Sequence, residues 1–181
     1  MTIIVWDVES TGLLAPLAAG QEQQPYLVEI AAVKLNRQFE LIENLFLRCK
    51  PPISIPAEAS KVHGIIDRDV MDSRSFVEIL PVITKFFLGS EYQVGHNIMF
   101  DKMVLYWELF RCGKTLDFPW PPNTICTVEA SLQINGWRMN LGDLHMHLFG
   151  MSFEGAHTAS VDVEITRKCF VEMAKREMVQ L

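Results

Sequence analysis

The sequence predicts a mixed α/β fold in which a mixed β-sheet is flanked by helices. Three observations point there. Strand-like segments rich in β-branched residues fill roughly the first fifty positions, helical periodicity dominates afterwards, and a short strand-like run at 92–96 returns between helices. With 181 residues, 49% of them hydrophobic, the chain has enough apolar material for a sizeable core and reads as a single domain over 1–181.

Residues 2–8 form the first strand, with Asp7 at its carboxyl end. Ser10, Thr11 and Gly12 then turn the chain, and 13–25, holding Pro16, Gly20 and Pro25, reads as a long flexible loop near the active site. Two more strands, 26–35 and 39–48, joined through Asn36 and Arg37, complete a meander that Lys50-Pro51-Pro52 closes. A short helix over 56–60 runs out at Gly64, and Asp67 and Ser73 read as caps of two further helices, the second over 76–88. The strand at 92–96 leads through Asn97 into a helix over 99–112, which puts Asp101 in its first turn. After the proline-rich 118–122 and the segment 124–127 come helices at 128–134 and 141–148. A last long helix runs from about 156 to 178.

Composition narrows the class. A net charge of −6 argues against a large nucleic-acid surface, so local cations such as Lys61, Lys102, Arg138, Arg167 and Lys168 would have to hold short stretches of backbone. Cys49, Cys112, Cys126 and Cys169 are widely spaced and match no zinc-ligand pattern; free thiols in a reducing, cytoplasmic setting are expected. The N-terminal apolar run is broken by acids, and no stretch reaches the roughly twenty apolar residues of a membrane span.

Asp7 and Glu9 are two positions apart, so in a strand both carboxylates face the same side. A hydrophobic strand holds two such charges only with compensation, from a cation, a basic neighbour or solvent. His157 and Asp162 are five apart and would not share a helix face, which places His157 just before the helix proper, either free to act as a base while Asp162 stays a ligand or, as the spacing alone equally allows, capping the helix or packed. His145 and His147 read as structural, and His96 as closing a turn.

Taken in order, Asp7-Val-Glu9-Ser-Thr-Gly12, His63-Gly64-Ile65, Gly95-His96-Asn97-Ile98-Met99-Phe100-Asp101, Leu144-His145 and Ala156-His157-Thr-Ala-Ser-Val-Asp162 resemble the DEDDh branch of the DnaQ-like 3'-to-5' exonucleases. That group includes the proofreading epsilon subunit of bacterial DNA polymerase III. The resemblance covers nearly the whole chain and implies a ribonuclease H-like fold. It implies Asp7, Glu9, Asp101 and Asp162 as ligands of two Mg²⁺ or Mn²⁺ ions and His157 as general base, with these five residues as the catalytic set. It also implies substrate contacts from Ser10, Thr11, Leu13, His63, Asn97 and Phe100: Ser10 and Leu13 at the terminal nucleotide, His63 near its phosphate, Phe100 stacked on a base or else part of the core, and Asn97 fixing the turn before Asp101 through its side-chain amide.

The expected reaction is removal of nucleoside 5'-monophosphates from the 3' end of single-stranded or frayed DNA. An exoribonuclease that trims RNA or short oligonucleotides is the alternative, since nothing in these motifs distinguishes the sugars. A non-catalytic polymerase-associated binding module is another. A separate DNA polymerase or a second copy of the chain is the expected protein partner.

Overall fold

The computed structural model describes residues 1–153 and 158–181. Its sheet has five strands in the order β3-β2-β1-β4-β5: β1 Ile3–Ser10, β2 Leu27–Leu35, β3 Leu41–Arg48, β4 Tyr92–Gly95 and β5 Asn123–Cys126. The β1, β2 and β3 strands form the expected antiparallel meander, while β4 and β5 join parallel to β1, which makes the sheet mixed. The helices are α1 Ala57–His63, α2 Asp67–Val70, α3 Phe76–Phe87, α4 Ile98–Arg111, α5 Thr127–Asn135, α6 Leu141–Phe149 and α7 Ala159–Lys175.

The period-two pattern of β1 assigns its two faces to two cores. Ile4, Trp6 and Val8 pack against Ile79, Ile83, Phe86 and Phe87 of α3 and Ile98, Val104, Leu105 and Leu109 of α4. On the other face Ile3 and Val5 meet Phe170 of α7. Asp7 and Glu9 are odd-numbered and lie on this second face. Behind α7, Ile165, Cys169 and Met173 pack on Leu144 and Leu148 of α6.

Several local readings are corrected. Ser75, not Ser73, precedes α3: Glu78 turns back to accept from the Ser75 N–H at 2.8 Å and its hydroxyl at 2.6 Å. Asp67 is the first residue of α2 rather than its cap, and its carboxylate accepts the Ile55 N–H at 2.7 Å.

The segment 13–25 is ordered, with two short 3-10 turns at Leu17–Ala19 and Gln21–Gln23. Buried Gln24 accepts the Ala15 N–H and donates to the carbonyls of Ala15 and Pro16. From the end of α4, Arg111 donates to the carbonyls of Gln21 (2.9 Å), Gln24 (2.7 Å) and Pro25 (3.2 Å), and its guanidinium stacks 3.9 Å from the centre of the Tyr26 ring. One turn earlier Glu108 accepts the Leu27 N–H at 2.8 Å. Composition suggested flexibility there because these clamps come from a helix some eighty residues away.

Candidate active site

Asp7, Glu9 and Asp162 each offer a carboxylate oxygen within 4.8 Å of the others. Asp7 and Glu9 share a face of β1 by strand alternation. Asp162 arrives in the first turn of α7, where the positive end of the helix favours a carboxylate. Small side chains allow the approach: Ala31 stands opposite Asp7 in the sheet and packs with Ala159 and Val163 of α7, so the helix start lies close over the strand.

Asp101 comes from the other layer. It is buried, and its Oδ1 accepts the Val8 N–H at 3.0 Å. The parallel pairing of β1 with β4 covers Ile3 to Val5, so the Asp101 carboxylate takes the place of a ladder partner farther along the strand.

Burial and mutual repulsion dominate the electrostatics. Desolvation, then the charges of Asp101, Glu9, Asp162 and Glu29, raise the Asp7 carboxyl well above its ordinary range. Glu9 is pushed up to about 8 by desolvation and by Asp162, Glu29 and Asp101. Asp101 rises to about 7 through desolvation, opposed by the Val8 N–H. Among the described residues, no Lys or Arg forms an ion pair with Asp7 or Glu9. Three clustered carboxylates that resist joint ionisation fit a hard divalent cation, which takes oxygen ligands and relieves the repulsion.

One member of this neighbourhood was not anticipated. Glu29 pairs directly across from Glu9, and Arg48 directly across from Glu29, forming a row over β1, β2 and β3. Glu29 is 2% exposed and accepts from Arg48 Nε at 3.0 Å, so its charge is matched from the strand edge. The available signal was a lone acid inside the apolar run 27–33.

The other expected site residues divide. Leu13 stands 85% exposed. The Ser10 hydroxyl donates to the Gly12 carbonyl at 2.8 Å, and that of Thr11 accepts the Tyr26 N–H at 2.9 Å; both residues are buried and hold the turn. His63 is buried, its Nδ1 accepting the Ile65 N–H at 3.0 Å, and burial lowers its proton affinity. Phe100 is partly buried against the α3 and α4 core. Asn97 does make the turn before Asp101, but by its left-handed backbone (φ +69°) and not by a side-chain cap. His157, the expected base, lies outside the described residues; Thr158, which follows it, caps α7.

His145 and His96 are structural, as expected, while His147 lies exposed on α6. His145 Nδ1 lies 2.8 Å from the Met151 carbonyl and its ring packs on Phe149 and Phe153. His96 Nδ1 lies 2.9 Å from Thr127 Oγ1, and burial lowers its pKa to about 4.

The family described as RNase_T, exonuclease, matches residues 4–170, all but the two ends of the chain. The chain belongs to this exonuclease family. Its enzyme class is that of an exonuclease. It is 27% identical over 169 residues to the DNA polymerase III subunit epsilon of Treponema pallidum (strain Nichols), covering 93% of this chain and 74% of that protein. Other relatives are far longer, the chain spanning 24% and 12% of two of them.

Among solved structures, the fold is that of exonuclease X in complex with 5' overhanging duplex DNA (TM-score 0.72, 20% identity, 98% of this chain and 94% of that one). It is also that of the nuclease domain of 3'hExo, a DEDDh family member, bound to rAMP (TM-score 0.77, 17% identity, 97% and 92%). The ribonuclease H-like sheet read from the motifs is therefore present.

Proposed function

We propose that residues 1–181 form one exonuclease domain that hydrolyses phosphodiester bonds from the 3' end of single-stranded or frayed DNA and releases nucleoside 5'-monophosphates. The convergence of Asp7, Glu9 and Asp162 within 4.8 Å, from a strand and a helix far apart in sequence, carries this reading. These three, together with Asp101, would hold the divalent ions, two Mg²⁺ or Mn²⁺. Such ions, when bound, lower the pKa of water and neutralise charge building on the phosphate.

The chain's own residues do the rest. His157, placed by sequence just before Thr158 at the start of α7, accepts the proton of the attacking water; an imidazole with an ordinary pKa near 6.5 is suited to this near neutral pH. The exposed Leu13 side chain wedges against the terminal base. Ser10, Thr11 and Asn97, whose local bonds and backbone fix the turns around the carboxylates, present backbone groups to the terminal nucleotide. His63 supports that pocket from below, and Phe100 contributes its exposed edge.

A compact carboxylate cluster on a chain of net charge −6 suits a free 3' end better than a wrapped duplex. The relatives named as polymerase subunits support a DNA polymerase as partner, and a homodimer is the competing assembly. No helix among the described residues is long and apolar enough to cross a membrane. The four free cysteines support a reducing, cytoplasmic setting.

The test follows 3'-labelled and 5'-labelled single-stranded DNA and RNA with Mg²⁺ or Mn²⁺, beside Asp7→Ala and an EDTA control. Early loss of the 3' label as mononucleotide, with stepwise shortening of the 5'-labelled strand on DNA, is the expected result. Preference for RNA would convert the reading to an exoribonuclease. Absence of cleavage on both would point to a binding module.

A further inference from the structure

The sheet edge that carries Asp7 continues sideways into a second exposed feature. β1, β4 and β5 are parallel, and their registers (Val5 with Val94, Gly95 with Cys126), carried on by two residues and one, bring His96 and Thr127, just past the ends of β4 and β5, level with Asp7 inside β1. At about 4.8 Å per strand, Thr127 stands roughly 10 Å from Asp7 along that edge. The 2.9 Å contact between His96 Nδ1 and Thr127 Oγ1 ties the two ends together, and the Met139 backbone also hydrogen-bonds His96.

The connection between α5 and α6, residues 136–140, is thereby pinned to this edge. Buried Ser131 accepts the Met139 N–H at 3.0 Å and donates to the Val128 carbonyl at 2.6 Å. The Met139 side chain is buried, and Asn140 caps α6 by accepting the Asp143 N–H at 2.8 Å. From this fixed backbone two large side chains project: Trp137 is 57% exposed and Arg138 60%. Among the described residues the Trp137 indole stacks on no other ring. Arg138 pairs with Glu129, which is itself about half exposed, and such a surface pair is readily exchanged for a phosphate.

We propose that Trp137 and Arg138 form a subsite for the nucleotides immediately upstream of the one being removed, the indole stacking on a base and the guanidinium contacting the backbone phosphate. The occupant is a single strand because a stacking platform needs an unpaired base, and because the subsite continues the edge on which the carboxylates lie. The cation also suits a polyanion on a chain whose net charge is −6. This inference rests on the exonuclease reading above and adds to it a pair of residues outside the family motifs.

The experiment compares a dinucleotide with a hexanucleotide as substrates in Mn²⁺, and measures anisotropy of the labelled hexanucleotide in Ca²⁺, for the wild-type chain, Trp137→Ala, Trp137→Phe and Arg138→Ala. Trp137→Ala is expected to raise the hexanucleotide KM and Kd roughly tenfold and to shrink the KM difference between the two substrates; Trp137→Phe recovers most of it. The effect falls on KM rather than kcat, which a merely misfolded loop would not produce. Arg138→Ala is expected to lower the salt dependence of binding by about one phosphate contact.

Wild-type KM and Kd in Trp137→Ala would overturn the subsite while leaving the exonuclease reading intact. Hexanucleotide binding that depends on Trp137 without any hydrolysis by the wild-type chain would support the subsite and remove the exonuclease reading. Neither binding nor hydrolysis by the wild-type chain would remove both.

Discussion

Asp101 accepts the backbone N–H of Val8, 93 residues earlier, at 3.0 Å. This single bond fixes α4 against the strand that carries Asp7 and Glu9, so one carboxylate both orders the site and belongs to it. Asp101→Asn keeps an oxygen for Val8 and removes a charge that burial disfavours. It should fold with little loss, or slightly more stably, yet lose at least a hundredfold in turnover. Asp101→Ala leaves a buried N–H without an acceptor and should cost about 1–3 kcal/mol as well. Urea denaturation beside strand-degradation rates separates the two; equal stability for both variants would contradict the structural half of the assignment.

The raised carboxyls make stability depend on pH in a definite direction. Glu9 moves from 4.5 to about 8, so in the metal-free protein the folded state binds more protons than the unfolded one across that window. Stability therefore falls as pH rises through it, opposite to the behaviour of a salt-bridged carboxylate. Asp101, raised to about 7, adds in the same sense. Melting in EDTA should drop between about pH 4.5 and 8, and Mn²⁺ should raise the alkaline end most, because protons compete with the cation for the same oxygens. A metal-free melting temperature that is flat or rising across this range would show that the carboxylates are not so perturbed.

Arg48 should matter more to the fold than its position on an edge strand suggests. Removing it in Arg48→Met leaves Glu29 buried opposite Glu9, and a destabilisation of about 1–3 kcal/mol is expected, below the figure for fully buried pairs because Arg48 is partly exposed. Adding Glu29→Gln should recover most of that loss. Chemical denaturation of the two single variants and the double variant checks it, and additive losses would show that the two side chains do not act as a pair.

Gly95 ends β4 where no side chain fits. A Cβ there would lie 2.9 Å from Ile98 Cβ and 3.2 Å from the Trp6 carbonyl, so Gly95→Ala must move the start of α4. A loss of about 1–3 kcal/mol is expected, with a fall in turnover because Asp101 moves with the helix. Thermal melting and the degradation assay report the two effects; wild-type values in both would mean that α4 is free to adjust.

The site was legible where chemistry depends on local spacing. Period two alone set Asp7 and Glu9 on one face. Asp101 was placed in the right turn of the right helix, yet its bond to Val8 joins two layers and leaves no trace in local pattern. Glu29 escaped because its meaning lies in register: only when β2 is laid between β1 and β3 does it face Glu9 on one side and Arg48 on the other. The short strand β5 has four residues, too few for periodicity to show, and Ser73 was preferred to Ser75 because both are plausible caps until the reach of Glu78 is known.

The α4 helix is held at both ends by the region it serves: Asp101 grips β1 near its start, while Glu108 and Arg111 grip the start of β2 and the segment that bears Leu13. About 15 Å of rigid helix separates the two grips. The segment that bears Leu13 and the Asp101 carboxylate are thus fastened to one rigid rod, and a displacement of either is carried along α4 to the other.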